Sequence, residues 1–197
     1  MKYVMSNEMR KVKPRNGEEI TLYRIRAIKD FTAYVLKRKV RFKEDKRSIV
    51  YQIEKKLIRA GDPGGFIQSE KNLSQNGSCW IDDDAFAFGQ AKVCDDAYLG
   101  GKAAIGGKVK LYDDTKVTDS VQLGGSIKLY GRTKIIGTGS YFDNGVYKDL
   151  CLGKETIEAN TKAAITEKEA KPSQPSRGKI RIEIEFDEKK YVNDFEF

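Results

Sequence analysis

The chain has 197 residues, with 37 Lys and Arg against 29 Asp and Glu, no His and three Cys; 39% of it is hydrophobic and 34% charged. That balance belongs to a globular chain, and no apolar run reaches the about 20 residues a spanning helix needs. Without His the chain lacks the side chain best suited to proton transfer near neutral pH, so Ser–His–Asp and Cys–His catalysis are excluded.

The net charge of +8 sits at one end. Residues 1–60 carry 18 basic and 7 acidic side chains, residues 61–140 carry 9 and 10, and residues 141–197 carry 10 and 12. Ile20–Ile28 reads as a strand, and so does Tyr34–Lys43. In the second strand Lys37, Lys39, Arg41 and Lys43 share one face at intervals of about 6.6–6.8 Å, close to a phosphate spacing. The alternative is an edge strand whose lysines discourage edge-to-edge pairing. The spacing of Ile49, Ile53 and Leu57 predicts an amphipathic helix over Lys46–Arg59, so residues 1–60 read as a basic α/β cap.

A strict repeat follows. Every sixth residue from Ile81 to Ile135 is aliphatic: Ile81, Ala87, Val93, Leu99, Ile105, Leu111, Val117, Leu123, Leu129, Ile135. Two residues after each stands Asp or Gly, and four residues after comes a small or β-branched residue such as Ala85, Ala97 or Val109. This period suits a β-solenoid, in which short strands and tight corners stack to share one core. Three hexads close one coil, so residues eighteen apart stack. One face then stacks Ile81, Leu99, Val117 and Ile135, a second Ala87, Ile105 and Leu123, and a third Val93, Leu111 and Leu129. Residues 61–140 are thus read as a solenoid of about three to four coils, and the flanks as its caps.

Residues 141–170 read as an irregular end cap in which Leu150, Leu152 and Ile157 form a last coil or a lid. Residues 171–178 are a linker by composition. Lys179–Phe186 alternates as a strand, followed by an acidic, aromatic tail; residues 171–197 form an extension. That strand either returns to the N-terminal strands, with Arg24 and Arg26 facing Glu183 and Glu185, or exchanges with a second subunit.

The hexads resemble the hexapeptide-repeat left-handed β-helix family. With the lead-in Gly64-Gly65-Phe66-Ile67, then Asn72-Leu73-Ser74 and Gly77-Ser78-Cys79-Trp80, the chain looks like the β-helix proteins of bacteriophages and gut bacteria. The resemblance implies a mainly β fold, a left-handed parallel β-helix with a small α/β cap and a C-terminal strand extension. The missing His, the flat solenoid faces and the basic N-terminal region point to a non-catalytic macromolecular binding protein, and the resemblance implies phage origin and inhibition of a host defence or nucleic-acid-handling complex. Many family members are acyltransferases with a catalytic His, which this chain lacks; an acyltransferase-like enzyme would need another base, such as Asp95 or Glu70. A direct nucleic-acid binder is a further alternative.

Three surface constellations are candidates. Lys92, Lys110 and Lys128 stack one per coil, with Lys116 and Lys134 as a neighbouring pair; Asp95, Asp96, Asp113 and Asp114 are placed to offset them. Tyr112 stacks over Tyr130 with Cys94 before them, and Phe88, Gly106 and Gly124 run alongside as a strip open to close backbone approach. That strip and the tyrosines suit an oligomer or partner face, a dimer or trimer. Asp82-Asp83-Asp84 is explained by a turn, so no metal is expected. Cys79, Cys94 and Cys151 lack metal-ligand spacing and read as free thiols. The expectation is a protein or nucleoprotein partner, no cofactor, no membrane segment and a cytoplasmic location.

Overall fold

The structure, a computed structural model, describes residues 1–14, 17–43, 46–152, 182–186 and 189–193, and the side chains of residues 1–37 and 51–150 among them. Five strands lead into the repeat: β1 (Tyr3–Val12), β2 (Ile20–Ala27), β3 (Phe31–Lys43), β4 (Lys46–Ile58) and β5 (Pro63–Ile67). From β5 to Leu152 the chain is a parallel β-solenoid of about five turns. Its three faces are those the hexads predict. Ile81, Leu99, Val117 and Ile135 pair in register on the first face. Ala87, Ile105 and Leu123 do so on the second, and Val93, Leu111 and Leu129 on the third.

The corners explain the Asp/Gly rule. Asp83, Gly89, Asp95, Gly101, Gly107, Asp113, Asp119, Gly125, Gly131 and Gly137 all have positive φ, which Gly adopts freely and Asp tolerates. The aspartates also tie one coil to the next. Asp83 accepts from the Gly101 N–H, Asp95 from the Asp113 N–H and Asp113 from the Gly131 N–H.

The solenoid is longer than the hexads alone announce. Ile67 and Leu73 supply a first turn, in register with Ala87 and Val93. Tyr141, Tyr147 and Leu152 supply a last one, in register with Leu123, Leu129 and Ile135. Tyrosine takes the aliphatic place there, and Leu152 arrives one residue early, so the sequence period fades before the stack ends. Leu150 packs against the core, while Ile157 and the linker at 171–178 lie outside the described residues.

The cap is all β among the described residues, and the 3-10 turn Glu70–Asn72 lies within the first turn of the solenoid. The predicted helix over Lys46–Arg59 is instead β4, paired with β3 along all thirteen residues of each strand. The segment fits both periods, and it is rich in Ile, Val and Tyr. The continuous antiparallel ladder with β3 decides for the strand. β1 and β2 form a hairpin that joins β5 and so extends the second face. Arg10 and Arg24 clamp it there: both guanidinium groups lie 4.2 Å from the Phe66 ring, and Arg10 also lies 5.2 Å from Phe86.

The β3–β4 ribbon lies over the first face, packing on the strands Tyr98–Leu99 and Lys116–Val117. Phe31 meets Trp80 edge-on at 5.2 Å, and Tyr3 meets the same ring at 6.5 Å. Ala33 and Val35 are buried, and Lys56 on that same ribbon face reaches the buried Asp82. Farther along, Leu36 and Tyr51 come from the opposite ribbon face, yet Leu36 is buried and the Tyr51 hydroxyl donates to Asp119 at 2.9 Å. The strong twist of a two-stranded ribbon accounts for the change of face.

The C-terminal strand Ile182–Phe186 does not return to β2. It pairs parallel with β4, Glu183 opposite Val50 and Glu185 opposite Gln52. Arg24 instead binds Glu8 and the Gly64 carbonyl, and Arg26 the Gly61 carbonyl.

Candidate binding face

The three faces differ in what covers them. On the first, the outward residues Trp80, Tyr98, Lys116 and Lys134 are all buried, the first three where the ribbon packs on the face. Lys116 and Lys134 are therefore not part of a solvated lysine surface. The Lys116 ammonium donates to Asp114 at 2.6 Å and to the Asp96 carbonyl at 2.7 Å. Burial pulls its pKa down, opposed by the hydrogen bond and charge of Asp114. Asp114 is thus engaged with Lys116 and not with the lysine column, and Asp96 receives the Ser78 hydroxyl at 2.6 Å.

On the second face the glycine strip is not bare. A side chain at Gly106 would run into the Phe88 ring, and one at Gly124 into Phe142. Gly106 and Gly124 are buried under these rings, which close the strip to another backbone. The eighteen-residue period carries the signal, since it places Phe88 one coil before Gly106 and Phe142 one coil after Gly124.

The third face is left open by the described residues. Lys92, Lys110 and Lys128 stand in register there, Lys92 and Lys128 exposed and Lys110 half-buried. No described carboxylate lies within ion-pair distance of any of the three. Asp95 and Asp113, expected to offset them, instead hold the backbone N–H groups of Asp113 and Gly131. Two residues along each strand comes the column Cys94, Tyr112, Tyr130, with Tyr112 and Tyr130 half-buried. Lys148 continues it: it pairs with Tyr130, and its ammonium lies 5.9 Å from that ring. The hexad series ends at Ile135 and does not announce Lys148, though Lys148 stands eighteen residues after Tyr130. Exposed Lys108 and Arg132 flank the columns at the two corners.

The basic ladder of β3 lies away from this face. Lys37 is 57% exposed and pairs with Glu54 at 3.4 Å. Lys39, Arg41 and Lys43 follow on the same strand parity, but their side chains lie outside the described residues. The three aspartates of the Asp82–Asp84 turn do not converge. Asp82 holds Lys56 and the Tyr98 hydroxyl, Asp83 the Gly101 N–H and Asp84 lies 3.8 Å from Arg10. The thiols of Cys79 and Cys94 are free, both pushed up in pKa first by burial.

Buried ionisable groups give the fold a defined alkaline profile. Burial lowers the pKa of Lys2 and Lys116, so the unfolded chain holds more protons and stability rises as pH climbs toward 10.5. Burial raises the phenols of Tyr3 and Tyr98, and that of Tyr147 to about 12 with help from Asp143. Above pH 10 the folded state therefore holds the extra protons, and Tyr3 and Tyr98 each lose up to about 1.4 kcal/mol of stabilisation per pH unit. The Cys79 and Cys94 thiols, also raised by burial, oppose the lysines from pH 9, so urea midpoints measured from pH 8 to 11.5 are expected to peak between pH 9 and 10 and then fall. A midpoint that declines steadily from pH 8 contradicts this.

These features define a parallel β-solenoid with one face roofed by its own hairpin, one closed by aromatic rings and one open and basic. Among the described residues no helix is long and apolar enough to cross a membrane. The chain matches no protein-family model and no curated protein.

Proposed function

We propose that the protein is a non-catalytic binding module whose open third face docks an anionic macromolecule, carried by a protein or nucleoprotein partner. The Lys92–Lys110–Lys128 column supports this reading. Three ammonium groups on strands about 4.8 Å apart repel one another, and no described carboxylate offsets them. An anionic partner removes that repulsion. Asp95, the non-His base considered for an acyltransferase, has its carboxylate on the Asp113 N–H, which favours a non-catalytic role.

The resemblance adds a finer version. It makes the protein a phage-type, hexapeptide-repeat left-handed β-helix that inhibits a host defence or nucleic-acid-handling complex, acting in the cytoplasm and assembling as a dimer or trimer. The test of the binding reading is fluorescence anisotropy with labelled polyglutamate at low salt. The wild type is expected to bind, more weakly as salt rises, and Lys110→Glu/Lys128→Glu to bind at least about tenfold more weakly. Equal binding by the two proteins overturns the proposal.

A further inference from the structure

The lysine and tyrosine columns of the third face run side by side along the solenoid axis. Lys110 and Tyr112 stand two residues apart in one coil, Lys128 and Tyr130 in the next, a lateral separation of about 6.8 Å. Each coil thus offers one cation beside one aromatic ring. The Tyr112 ring and hydroxyl meet no hydrogen-bond or ring partner among the described residues. Among the described residues the Tyr130 ring meets the Lys148 ammonium. Lys108, Arg132 and Lys148 frame the pair with further positive charge, while Asp113, Asp114 and Asp149 are bonded to Gly131, Lys116 and Arg132. The surface therefore combines a basic track with two aromatic side chains, Tyr112 without a described partner and Tyr130 met by the Lys148 ammonium.

We infer that the occupant of this face is a single-stranded nucleic acid lying along the solenoid axis, its phosphates on the lysine column and its bases against Tyr112 and Tyr130; this rests on the binding reading above. A basic track with interleaved aromatics suits single strands because every base offers a π-face, at no cost of sequence choice. A duplex hides those faces within its own stack, and the third face projects neither a helix nor a ribbon into a groove. An acidic protein segment would use the lysines and leave the tyrosines idle.

The test compares labelled probes of about 15 units: oligo-dT, oligo-U, a DNA duplex and polyglutamate, each titrated with the full-length protein over a range of salt. Single strands are expected to bind more tightly than the other two. The slope of log K against log salt is expected to be about −3, the value for four to five neutralised phosphates on a single strand, and each lysine removed should reduce it by about 0.7. Tyr112→Ala/Tyr130→Ala should weaken single-strand binding at least about tenfold, and Tyr112→Phe/Tyr130→Phe should restore it. The alanine pair should leave polyglutamate binding unchanged. Single strands bound no better than polyglutamate, or no better than the duplex, or indifferent to the alanine pair, overturn the inference and leave the binding reading standing. Absence of binding to all four probes overturns both.

Discussion

Leu111→Asp is expected to abolish folding, while the adjacent Lys110→Ala changes stability by no more than about 0.5 kcal/mol. Leu111 is fully buried in the third-face column between Val93 and Leu129, both equally buried. Truncation to Ala alone should cost about 2–5 kcal/mol, from lost burial and from the cavity left behind. A carboxylate at that point is desolvated with no partner, a cost comparable to the whole stability of a domain. Side chains alternate along each short strand, so a slip of one residue would exchange the two outcomes. Circular dichroism and urea unfolding of Leu111→Ala, Leu111→Asp and Lys110→Ala read the difference directly. A destabilised Lys110→Ala with a tolerant Leu111→Ala would refute the assigned faces.

Asp114→Ala is expected to destabilise the protein by about 3 kcal/mol, because it strands a buried ammonium under the hairpin. Lys116 is fully buried, and its described partners are the Asp114 carboxylate and the Asp96 carbonyl. Asp114 itself is 38% exposed, so solvent screening places the loss at the lower end of values for broken buried pairs. The second half of the prediction is a rescue. Asp114→Ala/Lys116→Met should recover most of the loss, since an apolar side chain of similar length fills the same space with no charge to desolvate. Urea unfolding of the single and double variants checks both. If the double variant is no more stable than Asp114→Ala, the cost does not come from the stranded charge.

The solenoid interior was legible because two independent constraints repeat together. The inward residue must be aliphatic, and the residue two further on must accept positive φ, so Leu111 with Asp113 and Leu123 with Gly125 each carry the signal twice. The ends were less legible, for stated reasons. Between Leu73 and Ile81 the chain carries two extra residues. The resulting loop around Gly77 is held by the buried Lys2 ammonium, which donates to the carbonyls of Cys79 at 2.7 Å and Gly77 at 3.2 Å. Nothing local to the repeat announces that a residue seventy-five positions away completes it. At the other end Tyr141 and Tyr147 replace aliphatic residues, which breaks a search for Ile, Leu and Val.

The candidate face was legible in its columns and not in its surroundings. Register alone placed Lys92, Lys110 and Lys128 together, and Tyr112 beside Tyr130. Which lysine column is roofed depends on where the ribbon lies. That is a tertiary fact, fixed by Phe31 on Trp80 and Lys56 on Asp82. The strand at β4 could not be separated from a helix by periodicity, since Ile49, Ile53 and Leu57 satisfy one period and the pairing with β3 satisfies the other.

The proposed binding of anions by the third face rests on its geometry, beyond what a basic protein does through net charge. Two triple variants of equal charge test it: Lys92→Glu/Lys110→Glu/Lys128→Glu on the open face, and Lys13→Glu/Lys29→Glu/Lys102→Glu at exposed positions elsewhere. Affinity for oligo-dT and polyglutamate is measured for both at one salt concentration. The open-face variant is expected to lose at least about a hundredfold, as three neutralised contacts are removed and reversed, and the control only a few-fold through the shared change in net charge. Equal losses in the two variants would contradict it.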